Sequence, residues 1–241
     1  MRKSTKRKNA LRSAGVISQA ICPVKHKVSG QFQSFTVEGH IGILLNMAIL
    51  KIARMGHPVL RQMAEPITEP SAPRIQTLVS NMYETMVDAE GTGLAAPQVH
   101  VPLRMVMFFV DSETAVQGNN KTEDYVSDNV PLTVLINPEI EPLTDEMELG
   151  WEGCLSVPGL MGKVPRYTKI RYRGAAPDGT PIVRTAEGFH ARVVQHECDH
   201  LDGFLYPQRM TDLSLLVFRE EMRHGVPGEQ TEPNHNGTVD D

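Results

Sequence analysis

The chain has few of the features that would assign a function at once. It has three cysteines, Cys22, Cys154 and Cys198, an odd number at irregular spacing. That excludes a disulfide framework and favours a reducing compartment. No apolar run reaches the ~18–20 residues that a membrane-crossing helix needs. The longest near the start, Ile41 to Ile52, is broken by Asn46 and Lys51. No secretory signal pattern stands out, and no internal repeat suggests a solenoid. Positive charge is also scarce beyond the first 46 residues. Residues 1–46 hold eight Lys or Arg and one acid, Glu38, while the remainder holds sixteen bases and 28 acids. A body with a balance of −12 does not suggest a nucleic-acid-binding enzyme.

What is present is ordinary for a globular protein: 241 residues, 40% apolar and 22% charged. That suffices for one or two domains with a sizeable core. The basic head, 1–46, has no clear period and reads as a disordered extension. It could be a targeting segment, an RNA-binding arm, or sequence upstream of a true start at Met47. The catalytic domain is expected over 47–224, followed by a flexible acidic tail, 225–241.

Within 47–224 the periods are mixed. Ile75, Leu78, Val79, Met82 and Met86 share one helical face, with Ser71 as N-cap, Pro73 in the first turn and Gly91 as the stop. Strands are expected at Leu103 to Val110, Leu132 to Ile136, Thr168 to Arg173 and Thr180 to Arg184. The second is stopped by Asn137-Pro138, and Pro177-Asp178-Gly179 makes a turn before the last. Residues 111–131 read as a polar surface loop or insertion. A second helix is expected over Glu187 to Leu201, ended by Gly203, and a terminal helix over 211–224. The fold class is α+β: short antiparallel or mixed strands packed around a central helix, plus a C-terminal helix.

The strongest chemical signal is His196-Glu197-Cys198-Asp199-His200. Positions i and i+4 share a helical face, so both imidazoles can meet one metal ion, and Glu197 can reach a water held there. A metal acidifies such a water, and a nearby carboxylate can move its proton to a leaving amine. Three protein ligands are needed, and Tyr206 occupies the place of a third histidine in the extended zincin spacing. Glu152-Gly153-Cys154-Leu155-Ser156 offers Cys154 as a thiolate; taken alone, Cys154 would read as a small buried hydrophobe. Cys198 keeps that bland reading because its helical position points away from both histidines. In the loop GTGLAAPQ (91–98), glycines allow close backbone approach and Gln98 supplies an amide donor; alone it would be a turn.

GxGLAAxQ, EGCLS and HExxH, in that order, resemble the three signature motifs of the peptide deformylase family. The likeness extends to LKIARMGHPVLRQ, INPEI, GWEGCLSVPG and GFHARVVQHECDHLDG, covers 47–210, and looks bacterial. The resemblance implies Cys154, His196 and His200 as metal ligands and Glu197 as the general acid/base. It implies Gln98 and the backbone N–H of Leu155 as oxyanion donors and Gly93 as a peptide contact. Glu152 and Arg166 match a buried pair bracing the cysteine loop. Phe189, Arg192 and Val193 would line the pocket for the methionine side chain, Arg192 through its aliphatic stem. One divalent ion is implied, Fe(II) first, with Zn(II), Ni(II) or Co(II) as substitutes. The implied substrates are formyl-methionine nascent peptides near the ribosome, in the bacterial cytoplasm, with no nucleic-acid or membrane partner. An organellar location would follow if 1–46 is a transit peptide. Met161 stands where many relatives carry an arginine, which puts one peptide-anchoring contact in doubt. Two other readings are a metallopeptidase, which would cut internal bonds without releasing formate, and a non-catalytic relative that binds nascent chains. The intact Glu197, Gln98 and ligand set argue against the second.

Overall fold

The computed structural model describes residues 48–110 and 129–226. The basic head, the start at Met47, nearly all of the polar 111–131 segment and the tail beyond Val226 lie outside the described residues.

Helix α1 spans Pro73–Asp88 and buries Ile75, Met82 and Met86, the apolar face of its sequence period. Its ends differ from expectation. The N-cap is Ala72, which offers no side-chain hydrogen bond, and the left-handed residue after the helix is Glu90 rather than Gly91. Proline at the first helical position replaces the cap, since it has no N–H to satisfy.

Among the described residues eight strands follow: β1 Gly93–Ala95, β2 Met105–Val110, β3 Val130–Pro142, β4 Met147–Cys154, β5 Val157–Tyr167, β6 Lys169–Ala175, β7 Pro181–Glu187 and β8 Val217–Phe218. They form an antiparallel five-stranded sheet, β1-β2-β3-β6-β7, and a three-stranded sheet, β4-β5-β8. The run MVMFFV of β2 is apolar on both sides because both faces of the large sheet are covered. Met105 and Met107 join the α1 residues in one core cluster, and Val106 and Phe108 join a second.

Helix α2, Gly188–Leu201, supplies Ala191, Val194 and Leu201 to that second cluster. It ends where expected, with Gly203 left-handed at φ +79°. The mixed α+β class is therefore the observed one, with α2 against the sheet.

Three local expectations are corrected. β3 does not stop at Asn137-Pro138: it runs to Pro142 through a bulge, with Asn137 at φ +50°. The Asn137 side chain accepts from Ile67 N at 2.9 Å and donates to Ile67 O at 2.8 Å. It thus ties the N-terminal segment to the bulge and satisfies that backbone. EGCLS is no free loop, since Glu152–Cys154 close β4 and Ser156 lies in the turn before β5. The terminal segment is not an α-helix. It consists of a 3-10 turn Leu213–Leu215, the short β8 and a 3-10 helix Arg219–His224. Asp212 caps the turn by accepting from Ser214 N at 2.8 Å, and β8 pairs with Leu160 and Met161 of β5.

Candidate active site

Three segments converge at one small cavity. Gly91–Gly93 and Gln98, Gly153–Leu155, and His196 with Glu197 line it together. An N-terminal strap joins their backbones. Ala53 N donates to Gln98 O, Met55 N to Ser156 O and Ala64 N to Leu201 O, each at 2.7 Å.

The ligand atoms of Cys154, His196 and His200 lie within 4.8 Å of one another. Cys154 Sγ is 3.4 Å from His200 Nε2. Ligands at Zn–S and Zn–N distances around a tetrahedral ion sit roughly 3.5 Å apart, so this spacing fits a divalent metal. Burial alone would lower the pKa of His196. Hydrogen bonds with Cys154 and Glu152 outweigh that and hold it well above the ordinary histidine value. His200 is held well below its ordinary value by burial and by the neighbouring His196, as suits a neutral ligand.

Glu152 fixes His196 from behind. It is fully buried, yet its carboxylate meets four donors: Arg166 Nε at 2.9 Å, Arg166 Nη2 at 3.0 Å, Arg192 Nη1 at 3.1 Å and His196 Nδ1 at 2.8 Å. Burial would raise its pKa, but Arg166 and His196 prevail and hold it well below the carboxylate range. With Nδ1 engaged by Glu152, the other ring nitrogen is left for the metal.

Glu197 behaves in the opposite way. Burial comes first among the causes and pushes it up to about 7. Its Oε2 is buried with no hydrogen-bond partner. A Cβ on Gly93 would lie 2.2 Å from Glu197 Oε1, so only glycine leaves room for this carboxylate. The Gln98 amide is held by three contacts. Its Oε1 accepts from Ala95 N at 2.8 Å, and its Nε2 donates to Ser156 Oγ at 3.1 Å and to Cys154 Sγ at 3.5 Å.

The remaining candidates are placed as follows. Leu155 lines the cavity. Phe189 and Val193 lie in the core cluster around α2. Arg192 turns its guanidinium away, to Glu152, Val164 O, Gly150 O and Glu148 O. A Cβ on Gly150 would sit 2.6 Å from Arg192 Cζ. Met161 is buried beside Trp151, beneath Val217 and Met222. Cys198 is buried, and that burial raises its thiol pKa far above the ordinary value, so it stays an inert hydrophobe. Sequence reasoning missed Ser156, Asp199 and Arg209. Asp199 lies inside the HECDH string, but nothing local indicates that it meets two arginines.

A family model described as polypeptide deformylase matches residues 49–215. The chain belongs to that family. "Peptide deformylase 1" of Bordetella pertussis is 53% identical over 169 residues, covering 70% of this chain and 92% of the relative. "Peptide deformylase 2" of Ralstonia nicotianae is 50% identical over 179 residues, 74% of this chain and 97% of the relative. Among solved structures, a Met-Ala-Ser-bound class I type b peptide deformylase from Acinetobacter baumannii superposes with a TM-score of 0.60 at 32% identity, covering 68% of this chain and 99% of that one. The chain is thus a metal-dependent hydrolase that deformylates N-formyl peptides.

Proposed function

We propose that the substrate is the N-terminal formyl-methionine of nascent polypeptides and that the centre works through Cys154, His196, His200, Glu197, Gln98 and Leu155. The observation that carries this reading is the buried, unpartnered Oε2 of Glu197, a residue that lines the cavity with Cys154 and His196 of the Cys154–His196–His200 cluster. When bound there, a divalent metal supplies Lewis acidity that makes a water nucleophilic near neutral pH. Glu197, with its pKa near neutrality, takes the water's proton and returns it to the departing amine. The Gln98 amide and the Leu155 N–H, both from residues that line the cavity, donate to the formyl oxygen as it gains charge and stabilise it. Gly93 offers backbone to the peptide. Phe189, Arg192 and Val193 stand one and two turns before His196 on α2, where they would wall the methionine pocket. The A. baumannii structure with bound Met-Ala-Ser supports a methionine-first peptide.

The ligand set suits Fe, Zn, Co or Ni, and the softness of the thiolate does not choose among them. In this reading Fe(II) is the working ion, and Zn(II), Ni(II) or Co(II) are substitutes. Residues 47–224 form the catalytic domain in this reading, with 1–46 an extension and 225–241 a tail. The work is done on emerging chains near the ribosome in a bacterial cytoplasm; an organelle is the alternative. No helix among the described residues is long and apolar enough to cross a membrane.

The test is formate release from formyl-Met peptides by anaerobically purified protein, with metal analysis of two variants. Cys154→Ser should lose or weaken the metal and the activity, because an alcohol is a poor ligand at neutral pH. Cys198→Ser should keep both. Full metal occupancy in Cys154→Ser would remove Cys154 from the ligand set. Internal peptide cleavage without formate would favour the metallopeptidase reading.

A further inference from the structure

Behind the pair Glu152–Arg166 the charged network continues outward, and its outer end has no part in the chemistry above. Arg166 uses Nε and Nη2 on Glu152, then Nη1 on Asp199 Oδ2 at 2.6 Å. Asp199 is shared. Arg209 donates to it from Nε at 3.1 Å and from Nη2 at 2.7 Å, one bond to each carboxylate oxygen. The Arg209 guanidinium lies 4.3 Å over the Phe204 ring, which fixes its plane. Side-chain exposure rises along the series, from 0% at Glu152 through 6% at Arg166 and 11% at Asp199 to 42% at Arg209. The network therefore runs from the back of His196 to the surface.

Each link constrains the next. A guanidinium bound through two nitrogens to one carboxylate can still tilt about the line of those bonds; a second carboxylate at its third nitrogen removes that freedom. Asp199 sits on α2 one residue before His200, whereas Arg166 lies on β5. The Asp199–Arg166 bond thus sets the strand that holds Glu152's partner against the helix that carries both histidines. Arg209 lies beyond the end of α2 and ties the chain leaving that helix to the same carboxylate.

We propose that Asp199 and Arg209 are positioning residues for the metal centre: Arg209 fixes Asp199, Asp199 fixes Arg166, and Arg166 holds Glu152 where it aligns the His196 ring. This rests on the reading of Cys154, His196 and His200 as the ligands. Partners that orient a ligating histidine are worth ~10–100-fold in metal affinity or activity. Residues two and three links removed should show the low end, about 10-fold.

The experiment is metal release from the holoenzyme to a chelator, well below the melting temperature, alongside kcat and KM. Arg209→Ala and Asp199→Asn should each speed release about 10-fold and lower kcat with KM unchanged. Arg209→Lys keeps the charge but loses the two-pronged contact and should fall between. A purely structural role would lower Tm and leave release and kcat at parental values, which overturns the proposal. Combination with Arg166→Lys adds a second check. If Arg209 acts through Arg166, its effect on release should shrink in that background; an undiminished effect overturns the series. Should Asp199→Asn not fold, the exposed Arg209 pair of variants decides alone. A parent holding no metal would overturn both this proposal and the ligand assignment; a metal-holding parent with unchanged variants overturns this one only.

Discussion

Helices α1 and α2 are similar in length and opposite in chemistry. α1 has sixteen residues and buries four: Ile75, Met82, Thr85 and Met86. α2 has fourteen and buries thirteen, among them His190, Arg192, Gln195, His196, Glu197, Asp199 and His200. An apolar stripe needs only a surface to lie on. A helix buried all round with that many polar groups needs a partner for each, because an unpaired buried charge or amide is costly. The partners come from far away in sequence. Glu152 serves His196 and Arg192, Arg166 serves Asp199, and the Tyr167 backbone meets both ends of the Gln195 amide at 3.1 and 3.0 Å. Glu197 Oε2 and His200 Nδ1 remain without partners. One helix is scaffold; in the other, stability and chemistry compete for the same residues.

The sharpest way to separate the two is to injure each. Glu197→Gln should keep its metal and lose at least ~100-fold in turnover, since general acid-base catalysis is worth that much. It should not cost stability, because Glu197 has an unpartnered oxygen to lose. Met82→Ala in α1 should do the reverse: about 2–5 kcal/mol of stability lost to a core cavity, with unchanged kcat per folded molecule. Chemical denaturation and formate release on both variants would check this. Near-normal turnover in metal-loaded Glu197→Gln would sink the assignment of the acid/base.

The same contrast decides how much could be read in advance. The face of α1 was legible because its period is local. The three motifs were legible as strings, and the residues they name do meet: Gln98, Cys154, His196 and Glu197 line one cavity, and His200 joins the cluster. Their supports were not legible. In β4, Gly150, Trp151, Glu152 and Gly153 are all buried and do not alternate, so no strand period announced them. Arg192 has the helical spacing of a pocket wall, but its guanidinium is committed to the β4–β5 hairpin. β3 passes through Asn137-Pro138 because Asn137 bonds Ile67, a partner 70 residues away. The terminal segment failed as an α-helix because Asp212 caps a 3-10 turn and Val217–Phe218 pair with β5 instead.

A smaller effect separates the two carboxylates of the α2 neighbourhood by pH. Glu152 is held below its ordinary 4.5, so its stabilisation is fully present above pH 4.5 and is lost as pH falls through the lowered value. Glu197 is raised from 4.5 to about 7, so its contribution is present below pH 4.5 and lost as pH rises through about 7. Glu152→Gln should therefore be less stable than the parent at neutral pH, and the gap should narrow on acidification. In metal-free protein, Glu197→Gln should gain on the parent as pH rises toward neutral. Denaturant midpoints across about pH 3 to 8 read both slopes. A Glu152→Gln gap that stays constant into acid would mean that Glu152 is not held low.

The smallest effect should come from the head, and it tests where the scaffold begins. Chain contacts start at once among the described residues. Ala48 N donates to Asn81 Oδ1 at 3.0 Å, and Leu50 N to Thr85 Oγ1 at 2.8 Å, both on α1. The next two bonds reach the site: Ala53 N to Gln98 O and Met55 N to Ser156 O, each at 2.7 Å. A chain starting at Met47 keeps all four and should match the full chain in kcat, KM and melting temperature. A chain starting at Gly56 loses all four. It removes support from α1 and from the Gln98 and Ser156 backbones together, so it should lose stability and turnover at once. If the Met47 chain already melts lower, residues 1–46 belong to the fold. If the Gly56 chain loses stability but keeps turnover per folded molecule, the strap serves α1 alone, and the Gln98 and Cys154 segments hold their positions without it.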